Sequence, residues 1–226
     1  MDYIFNRNEV KKQESPKYFF AQDEVENTPG LFRASLDDAL LYGGDAVRKA
    51  LSTIELIGDK KFVSVDVKVH MLMPGMIPAI PGWHTDGIPR NPDGSPSGSM
   101  LPYCPNMDGL SSPHFHLFVA GDCSPTQFLS QRSIGLEVPD EPTNDLYSAI
   151  NEQVADLTIL KREDIPEGVW WGWDWFELHR AQPAIKRGWR MLIRVTESDF
   201  LAPEDDLRRV LRTQQQAYLA SESFGW

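Results

Sequence analysis

The sequence predicts a mainly β domain, a sandwich or barrel with flanking helices, on three observations. Short apolar or alternating runs recur through the middle of the chain, with turn residues between them. The clearest helical patterns lie towards the two ends. The 226 residues contain no internal repeat, and this length fits one generous domain or two small ones, with a sizeable core; we expect a single domain, residues 1–226. Many short strands framed by helices are typical of sandwiches and barrels.

The N-terminal part predicts a leader and then a helical segment. Residues 1–30 are polar and mixed, with little periodicity, so we expect a loosely packed polar leader. Residues 35–57 show a helical pattern with an aspartate-rich start. The pair Gly43-Gly44 is expected to interrupt this helix, because glycine is a poor helix former.

A strand with strict alternation follows in the segment KFVSVDVKVHMLM. Its apolar positions are Val63, Val65, Val67, Val69 and Met71, and its polar positions are Ser64, Asp66, Lys68 and His70. Successive side chains of a strand point to opposite faces, so this pattern predicts a half-buried strand. We expect His70 to be exposed or near the mouth of a pocket.

The rest of the chain predicts a long loop, more strands and two more helices. Residues 87–113 are rich in Pro, Gly and Ser, and so long an irregular stretch is usually a functional lid or disordered. The strands are predicted at HFHLFVAG, TQFLSQ, SIGLEV, 168–179 and 189–197, and the helices at 144–157 and 203–220. The β core therefore spans residues 62–197, and the last helix is expected to support the fold or form a homodimer.

Composition narrows the class of protein. The net charge of −11 argues against a broad nucleic-acid footprint, although a local basic patch is present. The patch consists of Arg180, Lys186, Arg187, Arg190 and Arg194. No run approaches the about 20 apolar residues of a membrane-spanning helix, and the N-terminus lacks a signal-peptide core. Cys104 and Cys123 form no C-x-x-C motif, which favours a reduced cytoplasmic pair over a lone disulfide.

The segment PGWHTDGI contains a candidate metal-binding pair, His84 and Asp86, at the exit of a strand. A polar loop is the simpler interpretation of this pair. A third donor is present further along the chain, because His179 follows an aromatic strand-like run. Two imidazoles and one carboxylate suit a divalent transition metal.

Two arginines in the segment GWRMLIRVT predict an anion site. Arg190 and Arg194 share one strand face with Leu192, while the opposite face is apolar. Burying two guanidinium groups is costly unless they meet an anionic partner. The alternative for Arg190 is an ion pair at the protein surface.

The ordered set of His84, Asp86, His179, Arg190 and Arg194 resembles the iron(II)- and 2-oxoglutarate-dependent oxygenases. The spacing from His179 to the two arginines is similar to that in the taurine dioxygenase branch. The resemblance implies a double-stranded β-helix, or jelly-roll, core. It also implies that His84, Asp86 and His179 bind Fe(II) and leave positions for 2-oxoglutarate and O2.

The resemblance assigns roles to the remaining site residues. Arg190 would bind the far carboxylate of 2-oxoglutarate, and Thr126 would add a hydroxyl to the same carboxylate. Arg194 would reinforce this clamp or meet an acidic group of the substrate. The implied enzyme is a dioxygenase that hydroxylates or oxidatively demethylates a small-molecule substrate, with residues 87–113 closing over it.

Two other functions are consistent with the residues. A nucleic-acid-modifying oxygenase is disfavoured by the net charge, but the basic strand and the tryptophans keep it open. The tryptophan cluster is a stacking platform in that case, and otherwise it is core packing; it comprises Trp170, Trp171, Trp173 and Trp175. The other function is a non-catalytic β-barrel that binds a ligand.

His114 and His116 form a rival metal pair of the cupin type. Both lie on one face of a predicted strand, together with Phe118. No glutamate follows at the interval that cupins use, so a metal role is not predicted. Their side chains are expected either to face the substrate or to be ordinary core histidines.

Overall fold

The computed structural model describes residues 1–157, 160–212 and 216–219, and it is mainly β, with 31% strand and 18% helix. The strands are β1 (Asp2–Phe5), β2 (Lys11–Lys12), β3 (Gly30–Ala34), β4 (Phe62–Leu72), β5 (Met76–Ile77), β6 (His114–Ala120), β7 (Thr126–Leu129), β8 (Ile134–Glu137), β9 (Arg162–Ile165), β10 (Trp170–Trp173), β11 (His179–Ala181), β12 (Gly188–Ser198), β13 (Leu211–Arg212) and β14 (Tyr218–Leu219). The helices are α1 (Gln22–Glu26), α2 (Leu36–Tyr42), α3 (Gly44–Leu51), α4 (Leu146–Asp156) and α5 (Leu207–Val210), with a 3-10 turn at Cys104–Met107.

A seven-stranded antiparallel sheet dominates the fold, in the order β13-β3-β4-β12-β6-β10-β2. Its centre is β12, which pairs with β4 along its whole length and with β6 on its other side. Three smaller antiparallel sheets accompany it, in the orders β11-β7-β9, β1-β8 and β14-β5. The mainly β prediction is therefore confirmed at the level of fold class.

Two apolar cores lie on opposite faces of the large sheet, and alternate side chains of β12 face each of them. Met191, Ile193 and Val195 pack in the core that includes residues of α1, α2 and α3. The other core joins β6 and β10 to the smaller sheets and to α4. Arg190 and Arg194, on the second face of β12, therefore lie on the side of the smaller sheets, as their alternation predicts.

Most predicted strands agree with the structure, but the segment 168–179 does not form one strand. It forms β10 and β11, with a turn between them. In this turn the Asp174 carboxylate accepts the N–H of Phe176, and the Glu177 carboxylate accepts the N–H of Asp174. These side chains offer the backbone an alternative to ladder bonds, which ends β10.

The prediction of a loosely packed polar leader over residues 1–30 is wrong at its start, whereas residues 7–24 contain no buried side chain. Tyr3 and Phe5 are buried in the core on the side of the smaller sheets, and β1 pairs with β8. The Asn6 side chain then donates to the carbonyl oxygens of Leu129 and Gln131, at 2.6 and 2.9 Å. A four-residue strand shows too little periodicity for its alternation to stand out from the sequence.

The predicted helix over residues 203–220 is also wrong in the part that the structure describes. Only Leu207–Val210 is helical, and Leu211 then pairs with Leu31 at the edge of the large sheet. Residues 213–215 and 220 lie outside the described residues. Burial of Val210 and pairing with the sheet edge outweigh the helical propensity of this polar segment. None of the described helices combines the length and the apolar composition that crossing a bilayer requires.

Candidate metal centre

An antiparallel bridge brings His84 and His179 together, although 94 positions separate them in the sequence. The His84 N–H donates to the His179 carbonyl at 3.0 Å, and the His179 N–H donates to the His84 carbonyl at 2.9 Å. The two imidazole centroids lie 4.6 Å apart. Backbone pairing, rather than flexible loops, therefore fixes the relative position of the two candidate ligands.

Both imidazoles are held by the nitrogen nearer the backbone. His84 Nδ1 lies 3.0 Å from the carbonyl oxygen of Gly82, and His179 Nδ1 lies 3.1 Å from that of Glu177. A carbonyl only accepts hydrogen bonds, so these contacts place the proton on Nδ1 and leave the Nε2 lone pair available. Burial and the neighbouring His179 lower the pKa of His84 to about 4, which keeps it neutral near pH 7.

Asp86 completes a cluster of three donors. One ligand atom from each of His84, Asp86 and His179 lies within 4.8 Å of the other two, and the Asp86 Oδ2 is 3.5 Å from His179 Nε2. Donors about 2.1 Å from a shared ion are separated by up to about 4.2 Å, so the cluster is close to metal-binding dimensions. Burial opposes ionisation of Asp86, but Arg194 and the two histidines hold its pKa well below the usual range.

Arg194 contacts this cluster directly. Its guanidinium donates to Asp86 Oδ2 at 3.0 Å and to Asp66 Oδ2 at 2.9 Å. Arg194 is thus hydrogen-bonded to a candidate metal ligand, Asp86, and it shares no hydrogen-bond partner with Arg190 among the described residues. Sequence reasoning missed Asp66, and its only signal was a carboxylate on the polar face of the alternating strand. It lies opposite Arg194 in the register of β4 and β12.

Arg190 lies in a second polar contact set, next to Thr126. The guanidinium donates to the Thr126 hydroxyl at 2.9 Å and to the Ser124 carbonyl at 2.7 Å. Arg190 is 1% exposed and makes no ion pair with any residue that the structure describes. Burial lowers the pKa of Arg190 to about 10, so the group stays cationic at neutral pH. A buried arginine without a carboxylate is a strong candidate for binding an anion.

All six predicted site residues line one cavity of about 110 Å³, which we call the inner cavity. These residues are His84, Asp86, His179, Thr126, Arg190 and Arg194. A larger space of about 770 Å³, the outer cavity, lies next to it and shares His84, Asp86 and Arg194 as wall residues. The arrangement therefore offers a three-donor site, a buried cation and an adjoining chamber.

The predicted lid, residues 87–113, is irregular apart from the 3-10 turn at Cys104–Met107. Ile88, Cys104 and Met107 are buried, whereas residues 97–101 are exposed. Both cysteines of the chain are free and buried. The loop is thus anchored in the core near both ends, and parts of it line the outer cavity.

The rival histidine pair lies away from the inner cavity. His116 Nε2 is 2.8 Å from Glu197 Oε1, in a buried contact on the helix-bearing side of the sheet, and His114 contacts Asp59 at 3.1 Å. The core interpretation therefore fits His116, and neither histidine faces the candidate site.

The tryptophans are buried, with exposures of 8% or less, and Trp170 packs in the helix-side core. The structure thus favours packing over a stacking platform for this cluster. Trp173 also lines the inner cavity, and its ring contacts that of His179 at a centroid distance of 5.3 Å.

The local basic patch is not a continuous exposed surface. Arg190 is buried, Arg194 is paired with carboxylates, and Lys186 pairs with Asp122 at 2.6 Å. Arg180 stacks over the Trp83 ring and donates to Gln127.

Comparisons of the chain with protein-family models, curated proteins and solved structures find no match. The chemistry of the site is therefore inferred from its own residues.

Proposed function

We propose that this chain is an Fe(II)- and 2-oxoglutarate-dependent dioxygenase that hydroxylates or oxidatively demethylates a small molecule. The observation that carries the proposal is the convergence of His84, Asp86 and His179 with Arg190 on one inner cavity. A site for a transition metal and a buried cation without an ion-pair partner meet there. This is the combination that a chelating keto acid with a distal carboxylate requires.

The donor set fits the metal. Two imidazoles direct Nδ1 towards backbone carbonyls, which leaves Nε2 to bind a metal, and Asp86 supplies a carboxylate; these are the donor types of the facial triad of non-haem iron enzymes. When bound, Fe(II) supplies the redox chemistry that couples decarboxylation of 2-oxoglutarate to succinate with substrate oxidation by O2. The carbonyls of Gly82 and Glu177 hold the imidazoles in the ligating tautomer.

The co-substrate role follows from Arg190 and its neighbours. The contact with the Ser124 carbonyl fixes the guanidinium, and Thr126 Oγ1 lies beside it, so both donors can meet the distal carboxylate of 2-oxoglutarate. Arg194 donates hydrogen bonds to both Asp86 and Asp66, and this network fixes the position of the Asp86 carboxylate. Trp83 and several residues of the loop over 87–113 line the outer cavity, where a bound substrate would complete the exclusion of water.

The jelly-roll core belongs to the same proposal. The large sheet and the sheet β11-β7-β9 contribute to one core and both line the inner cavity, with His179 on β11 and His84 bridged to it. Two facing antiparallel sheets with a metal site between them suit a double-stranded β-helix. The buried free cysteines suit a reducing, cytoplasmic environment. The absence of a continuous basic surface among the described residues supports a small-molecule substrate over nucleic acid.

Arg190→Lys tests the assignment of the co-substrate site. Lysine keeps the charge but loses the planar two-pronged donor, so 2-oxoglutarate should bind about ten-fold more weakly. Calorimetry on the anaerobic Fe(II)-loaded protein measures this affinity, and Fe(II) affinity should be unchanged. The matched control is Arg187→Lys, an exposed arginine on the turn before β12. Unchanged 2-oxoglutarate affinity in both Arg190→Lys and Arg190→Ala would contradict the assignment.

A further inference from the structure

The outer cavity has the size and composition of a small-molecule site. Its volume of about 770 Å³ lies within the range of roughly 300–1,000 Å³ that ligand pockets occupy. Apolar side chains form much of its wall, among them Phe32, Ile80, Ile88 and Phe115. It adjoins the candidate metal centre through His84 and Asp86, so a molecule held there would be next to the proposed iron.

Lys68 lies at the junction of the two cavities and lines both. In the register of β4 and β12 it is opposite Leu192, with Arg190 and Arg194 as diagonal neighbours on the same sheet face. Its side chain makes no hydrogen bond and no ion pair with any residue in the described ranges. Three cationic side chains therefore share one stretch of cavity wall.

The carboxylates near Lys68 are already engaged. Asp66 and Asp86 both accept hydrogen bonds from Arg194, and neither carboxylate forms a hydrogen bond or an ion pair with Lys68. Desolvation and the Arg194 guanidinium lower the pKa of Lys68, while Asp66 and Asp86 oppose this shift, and the residue is accessible to solvent. In a chain with a net charge of −11, the wall of the outer cavity contains five lysine or arginine residues and two aspartates.

Arg90 brings a further cation from the loop over residues 87–113. It lines the outer cavity, its side chain is exposed, and it has no ion-pair partner among the described residues. Lys68 lies on the sheet and Arg90 on the loop, so the two cations approach the chamber from different segments of the chain. An anion between them would be bound from both segments.

We propose that the outer cavity binds a substrate that combines an acidic group with an apolar body. Lys68 holds the carboxylate, sulfonate or phosphate group, Arg90 assists from the loop, and the apolar body contacts the walls around Phe32 and Ile88. Arg190 is left for the co-substrate. That the bound molecule is a substrate rests on the proposed dioxygenase function, whereas the preference for an anion rests on the cavity alone.

The test compares two probes that differ in charge but hardly in shape, phenylacetate and neutral phenylacetamide. Saturation-transfer NMR measures the affinity of each for the metal-free full chain, with excess 2-oxoglutarate present to occupy Arg190. The parent should bind phenylacetate at least about ten-fold more tightly than the amide. Lys68→Met should reduce this affinity ratio to about one, and Lys68→Arg should retain most of it. The control is Lys17→Met, which changes an exposed lysine outside the outer cavity and should leave the ratio unchanged.

Equal affinities of the parent for the two probes, including detectable binding of neither, would overturn the proposal. A preserved preference in Lys68→Met would overturn it as well. Lys68→Met should unfold in urea as a single cooperative transition, as the parent does, which shows that the variant is folded. The anion preference is read without metal or turnover, so its loss leaves the proposed function intact. Failure of the parent to bind Fe(II) and 2-oxoglutarate would overturn that function instead.

Discussion

At the scale of single residues, the arginines of β12 have different environments although they lie on one strand face. Arg190 is buried beside Thr126 and has no carboxylate partner in the described ranges, whereas Arg194 joins Asp66 to Asp86. The first environment suits an incoming anion, and the second compensates charges that the protein itself carries. The side chain of Asp66 is only 7% exposed, and it accepts hydrogen bonds from the Arg194 guanidinium and from the backbone N–H of Arg33.

Arg194→Gln should therefore destabilise the fold. The change leaves two neighbouring carboxylates without their shared cation and should lower the free energy of unfolding by about 2 kcal/mol. Adding Asp66→Asn removes one of the stranded charges, so the double variant should be more stable than the sum of the single effects predicts. Urea denaturation of the parent, both single variants and the double variant measures the coupling. Strictly additive effects would mean that Asp66 and Arg194 do not act as a pair.

Most of the candidate site could be predicted at this scale, because strand alternation and the order of donors are visible in the sequence. The face shared by Arg190 and Arg194 followed from the two-residue period of a strand. The ion pair of Arg194 with Asp66 could not be predicted, because it depends on the register between β4 and β12. The cationic junction at Lys68 was missed for the same reason.

At the scale of elements, the turn that follows β6 packs closely against the start of β12, next to Arg190. Gly121 has a φ of +92°, and a Cβ added there would lie 2.2 Å from the Trp189 carbonyl oxygen and 3.2 Å from Arg190 Cα. Its N–H donates to the Glu167 carboxylate at 2.6 Å. Only glycine allows this close approach of two backbones in the left-handed region.

Gly121→Ala should lower the free energy of unfolding by about 3 kcal/mol, because backbone strain and overpacking act together. It should also weaken 2-oxoglutarate binding, because the added Cβ would displace the backbone of Trp189 and Arg190. Gly58→Ala is the matched control: its φ of +75° imposes similar strain, but an added Cβ meets nothing within 4 Å. That variant should lose only about 1 kcal/mol and keep its 2-oxoglutarate affinity. Equal losses in urea denaturation for the two variants would exclude a steric role of Gly121.

Long elements with a clear period agree with prediction, and short ones do not. The alternation of residues 61–73 predicted β4, and the glycine pair predicted the break between α2 and α3. The predicted half-burial of β4 needs a correction, because Asp66 and His70 on its polar face are also buried. That face lines the outer cavity instead of bulk solvent. The strands β1, β13 and β14 are too short to carry a period, and tertiary pairing alone defines them.

At the scale of the whole molecule, one sheet separates two kinds of interior. Helices α1 to α3 cover one side, where the core is apolar apart from the buried contact of His116 with Glu197, and the smaller sheets cover the side of Arg190 and Arg194. Buried charges are costly, and Arg194 compensates Asp66 and Asp86, whereas buried Arg190 has no carboxylate partner among the described residues. The fold therefore directs its uncompensated positive charge into the inner and outer cavities, beside the three candidate metal ligands.

The most direct test of the central claim is an anaerobic titration of the parent and of His179→Ala with Fe(II) and then 2-oxoglutarate. The parent should bind about one iron per chain and develop the weak visible charge-transfer absorption of the iron–keto acid chelate. His179→Ala, which removes one of the three donors, should lose tight iron binding and the absorption while unfolding in urea as a single cooperative transition. Absence of the band from the folded parent, or undiminished iron affinity in His179→Ala, would contradict the account.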